Sequence, residues 1–178
     1  MAILPIILTP NPILKMKSLP VEKIDKDLQK FMDDMLETMY HQEGAGIAAV
    51  QVGVLKRIFI LDIDMDDDNK PAGVLKNPHF FINPEIISCS DEKSEYNEGC
   101  LSFPGARSIL SRPAIVKVRY LDYDGNSKEL EAGGYFARGL LHENDHLNGV
   151  TMADHLSAMK RDIFIRQVKK YIKEHDPN

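Results

Sequence analysis

The chain has 178 residues, 43% of them hydrophobic and 28% charged, which suits one folded domain over residues 1–178 with a substantial core. Its net charge of −5 supplies no global basic field for DNA. No apolar run approaches the length of about 18 residues needed for a membrane span, and the opening Met1-Ala2-Ile3-Leu4-Pro5-Ile6-Ile7-Leu8 lacks the basic lead of a signal peptide.

Ile24, Leu28, Phe31, Met32, Met35, Leu36 and Met39 recur at helical spacing, and Gly44 follows the end. This Met-rich stripe reads as core. Residues 44–49 are small at nearly every position, which suits either a tight turn or the close approach of a substrate backbone. Gln51 ends that apolar run and, by itself, reads as a solvated residue at a strand end. Lys56-Arg57-Ile58-Phe59-Ile60-Leu61-Asp62-Ile63 reads as a buried strand. Residues 65–79 are polar with two prolines and a glycine and read as a loop. Short strands are predicted at Phe80-Phe81-Ile82 and Ile86-Ile87, around Asn83-Pro84. Another is predicted over 115–123, with Asp124-Gly125 as a hairpin turn before 127–130. With strands in the middle and helices at the ends, the prediction is an α+β fold. Its antiparallel or mixed sheets would pack around a central helix, flanked by N-terminal and C-terminal helices.

That central helix carries His142-Glu143-Asn144-Asp145-His146, a match to H-E-x-x-H. On a helix His142 and His146 share a face, one turn apart. Two imidazoles so placed can hold a divalent metal, and Glu143 stands where it can take a proton from a water on that metal. Such water is a nucleophile near neutral pH, so hydrolysis is the first functional reading. The preceding Tyr135-Phe136-Ala137-Arg138-Gly139-Leu140-Leu141 is apolar on both sides of the pair. Buried His and Glu are costly without a partner, which again favours a metal over an ordinary amphipathic helix.

Spacing leaves the third donor open. The two cysteines, Cys89 and Cys100, form no C-x-x-C, which argues against a zinc finger. The longer zincin pattern finds Gly149 but then Met152 where a histidine is required, which weakens the endoprotease alternative. Glu174 lies in the polar tail, and His155 has no motif around it. Cys100 follows a glycine in a polar turn, which suits a thiolate ligand, although a lone intracellular cysteine also serves as a small buried hydrophobe. Asp145 is a candidate partner for a histidine N–H, and Glu43 and Arg107 are candidates to flank a peptide.

Three strings together resemble the motifs of the peptide deformylase family: Gly44-Ala45-Gly46-Ile47-Ala48-Ala49-Val50-Gln51, Glu98-Gly99-Cys100-Leu101-Ser102 and the His142 to His146 motif. Their order and separation match as well, and the resemblance spans essentially the whole chain. It implies a hydrolase that removes the formyl group from the formyl-Met of new polypeptides. It implies Cys100, His142 and His146 as metal ligands, with ferrous iron (Fe2+) the native ion and zinc or another divalent ion also accommodated. By the same resemblance Glu143 is the general base and acid. Gln51 and the Leu101 N–H face the oxyanion, and Gly44, Ala45, Gly46, Glu98 and Gly99 contact substrate. Ile47, Val50, Leu141, Asn144 and the helical Gly139 depart from the common family pattern.

The end of the chain, residues 157–178, carries Lys160, Arg161, Arg166, Lys169, Lys170 and Lys173 against Asp162, Glu174 and Asp176, a local net of +3. It reads as a capping helix with a solvated basic side. The resemblance adds a contact with the ribosome as the alternative, and a ribosome-binding module without activity is the non-enzymatic reading. Two cysteines and the thiolate ligand that the resemblance implies predict a reducing, cytoplasmic setting, and a monomer is expected.

Overall fold

Asp25 starts the first helix by accepting from the Leu28 N–H at 3.0 Å. Helix α1 then runs Lys26–His41, and Leu28, Met32, Met35 and Met39 on one face are buried. The computed structural model describes residues 2–64 and 76–175. After α1 come β1 (Gly46–Ala48), β2 (Ile58–Leu61), β3 (His79–Cys89), β4 (Lys93–Gly99), β5 (Arg107–Pro113), β6 (Val116–Leu121) and β7 (Ser127–Ala132). Helices α2 (Gly134–Leu147) and α3 (Ala158–His175) complete the chain, with short 3-10 helices at Pro12–Lys15, Ala49–Val52 and Met152–His155.

The fold is α+β, and both named sheets are wholly antiparallel. One has five strands in the order β1-β2-β3-β6-β7, and the other pairs β4 with β5. Strand β2 explains the layering. Ile58 and Ile60 join Ile47, Ile82 and the methionines of α1 in one cluster. Phe59 and Leu61 join Phe81, Val116 and Val118 with Phe136 and Leu140 of α2 in another. Alternate side chains leave a strand on opposite faces. The five-stranded sheet is therefore covered by α1 on one face and α2 on the other. This is why β2 is an unbroken apolar run rather than an alternating one.

Asn83-Pro84 does not divide β3 into two strands. The strand continues to Cys89 with register shifts between Ile82 and Glu85 and between Ile86 and Ser88. Proline cannot donate to the ladder and is tolerated at such an irregularity. Asn83 takes φ 50 there, and its side chain accepts from the Val21 N–H and donates to the Val21 carbonyl, each at 2.8 Å. Cys89, at the end of β3, is exposed. The predicted turn before β7 forms, with Gly125 at φ 87 and Asp122 Oδ1 accepting from the Asn126 N–H at 2.8 Å.

The loop predicted over 65–79 lies outside the described residues up to position 75, and His79 already belongs to β3. The β4–β5 hairpin has no counterpart among the predicted elements. A third cluster lies under it, where Phe103, Ala106 and Leu110 meet Met152, Ala153 and Leu156 and then Phe164 and Val168 of α3. No helix among the described residues is long and apolar enough to cross a membrane.

Candidate metal centre

Helix α2 is entered through Gly134 at φ 55, a left-handed value that glycine takes without strain. Phe136, Ala137, Leu140 and Leu147 bind it to the sheet. That anchoring turns His142 and His146 inward, with ring centroids 5.1 Å apart and exposures of 8% and 1%. Cys100 follows β4 directly and brings its Sγ to 3.3 Å from His146 Nε2. One ligand atom from each of Cys100, His142 and His146 lies within 4.8 Å of the others, so the three could hold one metal ion. Of the donors that spacing left open, Cys100 is the one whose sulfur lies with the two imidazoles. His155 is instead engaged with Asp145 Oδ2 at 2.7 Å, and Met152 is buried in the third cluster.

Glu98 shapes the outer side of His142. Its Oε2 lies 3.0 Å from His142 Nδ1, and Arg112 donates to both its oxygens, from Nε at 2.8 Å and Nη2 at 3.1 Å. Burial opposes the Glu98 charge, but the bonds from His142 and Arg112 outweigh it and keep the carboxyl below its usual range. A ring that donates from Nδ1 to a carboxylate offers its Nε2 lone pair to a cation. Glu98 lines the cavity, yet it is 3% exposed and both its oxygens are taken. Asp145 pairs with neither motif histidine. It accepts from Arg112 Nη1 at 2.6 Å and faces His155. The histidine partner within this network is Glu98, forty-odd positions upstream, and its string gave no sign of that bond. Arg112 carries no sequence signal of its role either, because it sits in a strand without apolar alternation.

Gln51 is not solvated at a strand end. It is 1% exposed within the 3-10 helix Ala49–Val52. Its Oε1 accepts from the Ala48 N–H at 2.8 Å, while Nε2 donates to Cys100 Sγ at 3.4 Å and to Ser102 Oγ at 3.2 Å. Glu143 is also buried, and burial pushes its carboxyl up to about 7. Its Oε2 has no hydrogen-bond partner among the described residues. Burial opposes charge on His142, but the Cys100 sulfur and Glu98 outweigh it and raise that ring well above the usual histidine value. Burial, and then the charge on His142, push His146 down to about 3.

These groups open onto a cavity of about 730 Å³. Gly44, Ala45, Gly46, Glu98, Gly99, Cys100 and Leu101 all line it. A side chain at either glycine would press on a neighbour. A Cβ on Gly46 would lie 2.6 Å from Glu143 Oε1, and one on Gly44 would lie 3.0 Å from Leu101 Cδ1. Glu43, at φ 53, and Arg107 line the same cavity, and Arg107 Nη2 donates to the Asn97 carbonyl at 2.9 Å.

The donor set fits the metal its pattern implies. One sulfur and two imidazole nitrogens suit zinc or ferrous iron rather than the oxygen-seeking calcium or magnesium. The polypeptide deformylase family model matches residues 3–162.

The chain belongs to the polypeptide deformylase family.

It is 52% identical to the peptide deformylase of Rickettsia akari over 171 residues, covering 96% of this chain and 97% of that protein. The crystal structure of the Ehrlichia chaffeensis deformylase superposes with a TM-score of 0.89 at 42% identity, covering 98% of this chain and 99% of that one. The same protein in complex with actinonin gives 0.87 at 43% identity, over 96% and 98% of the two chains. As a deformylase the chain is an enzyme, a hydrolase of N-terminal protein processing. Two of its departures from the family pattern have visible surroundings. Leu141 is partly buried against the α2 cluster, and Gly139 faces Ile63 and Leu61 so closely that a Cβ would meet Ile63 Cδ1 at 2.7 Å.

Proposed function

We propose that this chain is a single-domain, ferrous-iron peptide deformylase. It hydrolyses the formamide of formyl-Met nascent peptides to formate and a free amine, acting as a cytoplasmic monomer. The observation that carries the reading is the sulfur and two imidazoles gathered beside a Glu143 carboxylate oxygen that has no hydrogen-bond partner among the described residues. In this reading Cys100, His142 and His146 hold the ion. When bound, the ion supplies Lewis acidity and lowers the pKa of water from about 15.7 toward 7.

The chain's own residues do the rest. Glu143 takes the proton of the attacking water and delivers it to the departing nitrogen, for which a carboxyl pushed up by burial is suited. Gln51 Nε2 and the Leu101 N–H donate to the oxygen that becomes negative. Loss of one such donor costs about 3–4 kcal/mol of barrier. Gln51 must turn one proton away from Cys100 Sγ or Ser102 Oγ to do so. Gly44, Ala45 and Gly46 admit the peptide backbone closely, and Gly99 lines the same cavity. Glu98 keeps His142 in the ligand tautomer. The exposed cations of α3, Lys160, Arg161, Arg166, Lys169, Lys170 and Lys173, support a contact with ribosomal RNA that weakens as salt rises.

Anaerobic purification with metal quantification, followed by formate release from a formyl-Met-Ala peptide and a parallel casein assay, tests the reading. Formate release by an iron-loaded chain is expected, with inactivation in air as iron and thiolate oxidise. Glu143→Ala is expected to keep the ion and lose turnover, and Cys100→Ala to lose the ion. Casein cleavage without formate release would overturn the reaction. A preparation indifferent to oxygen would replace iron with zinc.

A further inference from the structure

We infer that Tyr171 of α3 is a positioning residue for the wall of the catalytic cavity and acts on substrate affinity through Gly105. Residues 103–106 connect the Cys100 turn to β5, and with Arg107 they line the cavity. This segment is fastened from behind by α3. Phe103 meets Phe164 with ring centroids 5.6 Å apart, and Phe164 and Val168 are 3% and 0% exposed. One turn beyond Val168, Tyr171 lies directly on Gly105. A Cβ there would fall 2.4 Å from Tyr171 Cδ2 and 2.5 Å from its Cγ. Gly105 holds φ 73, so its backbone is in the region only glycine takes freely. Tyr171 in turn stacks on His175 at 4.0 Å with an interplanar angle of 13°.

The apolar face of α3 is thus spent on the third cluster and not on either face of the five-stranded sheet. With the ring removed, Phe164 and Val168 still hold the helix, but the Gly105 turn loses its support. The trio and Glu143 are untouched. Because the wall touches the peptide and not the reacting atoms, the effect falls on KM and leaves kcat alone.

This inference rests on the deformylase reading for its kinetic arm, and a second arm is independent of it. Tyr171→Ala in the full chain is expected to raise KM for a formyl-Met tripeptide by roughly three- to tenfold, with kcat and metal content within about twofold. Tyr171→Phe is expected to match the parent, because ring atoms and not the hydroxyl lie on Gly105. Gly105→Ala is expected to raise KM as well, and the two changes together should be non-additive. Amide hydrogen exchange of residues 103–107 should accelerate in Tyr171→Ala while exchange in α2 stays constant. An unchanged KM, or exchange no faster than the parent's, overturns the inference. So does an equal fall in kcat with loss of metal. Should the parent release no formate, the reaction fails, and the exchange arm still decides the role of Tyr171.

Discussion

At Gly139 two preferences of the chain oppose each other. A glycine inside a helix costs about 1 kcal/mol relative to alanine. Adding the methyl group here, however, brings it to 2.7 Å from Ile63 Cδ1 and 3.0 Å from Leu61 Cδ2. Overpacking of this kind costs about 1–3 kcal/mol, so the clash outweighs the gain. Gly139→Ala should therefore lower the urea midpoint, and Ile63→Val, which removes that Cδ1, should restore most of it in the double variant. Gly46 is the catalytic counterpart. A methyl group there would displace the Glu143 carboxylate, so Gly46→Ala should reduce kcat/KM by about a hundredfold with metal content intact. Formate release beside metal quantification checks it. At this scale the sequence showed the helical pair readily, because His142 and His146 lie four positions apart. It could not show Ile63 against Gly139, nor Glu98 against His142, because those contacts join distant segments through the fold. Cys100 stood in between: residue type and turn allowed a ligand, and only the resemblance to a family selected it.

Among elements, the legible ones bury a continuous or regularly spaced apolar set. The methionine stripe of α1 and the run in β2 are examples, and both end fully covered. The β4–β5 hairpin was illegible for the converse reason. Lys93-Ser94-Glu95-Tyr96-Asn97-Glu98-Gly99 contains no aliphatic side chain, and its most buried member, Glu98, is held by charge rather than by apolar contact. Another polar contact joins two of the short 3-10 helices. Asp154 accepts from the Thr151 N–H at 2.7 Å and the Thr151 hydroxyl at 2.9 Å, and it pairs with Lys15. Burial opposes its charge, but Lys15 and Thr151 outweigh that and hold the carboxyl below the usual range. A depressed carboxyl stabilises the fold above its unfolded pKa of about 3.9 and loses that contribution as pH falls through the folded value. Asp154→Asn should consequently lower Tm at pH 7, and the gap from the parent should close below about pH 4. Thermal unfolding across that range measures it; a gap independent of pH would assign the effect to the hydrogen bonds alone.

For the molecule as a whole, the proposed ion would join regions that pack separately. The histidines ride on α2 against the five-stranded sheet, whereas Cys100 packs against the cluster that holds α3. Chelation should thus lower Tm of the parent, by an amount corresponding to about 4 kcal/mol when the free ion exceeds Kd a thousandfold. It should leave Cys100→Ala unmoved. The two cysteine thiols of this chain also differ in their surroundings, with Cys89 exposed at the end of β3 and Cys100 partly buried in the trio. A thiol-alkylating reagent therefore becomes a gauge of occupancy. Loaded protein should gain a single adduct, at Cys89, and stripped protein a second one, so that an intact mass spectrum would read the filled fraction of the site without any assay of turnover.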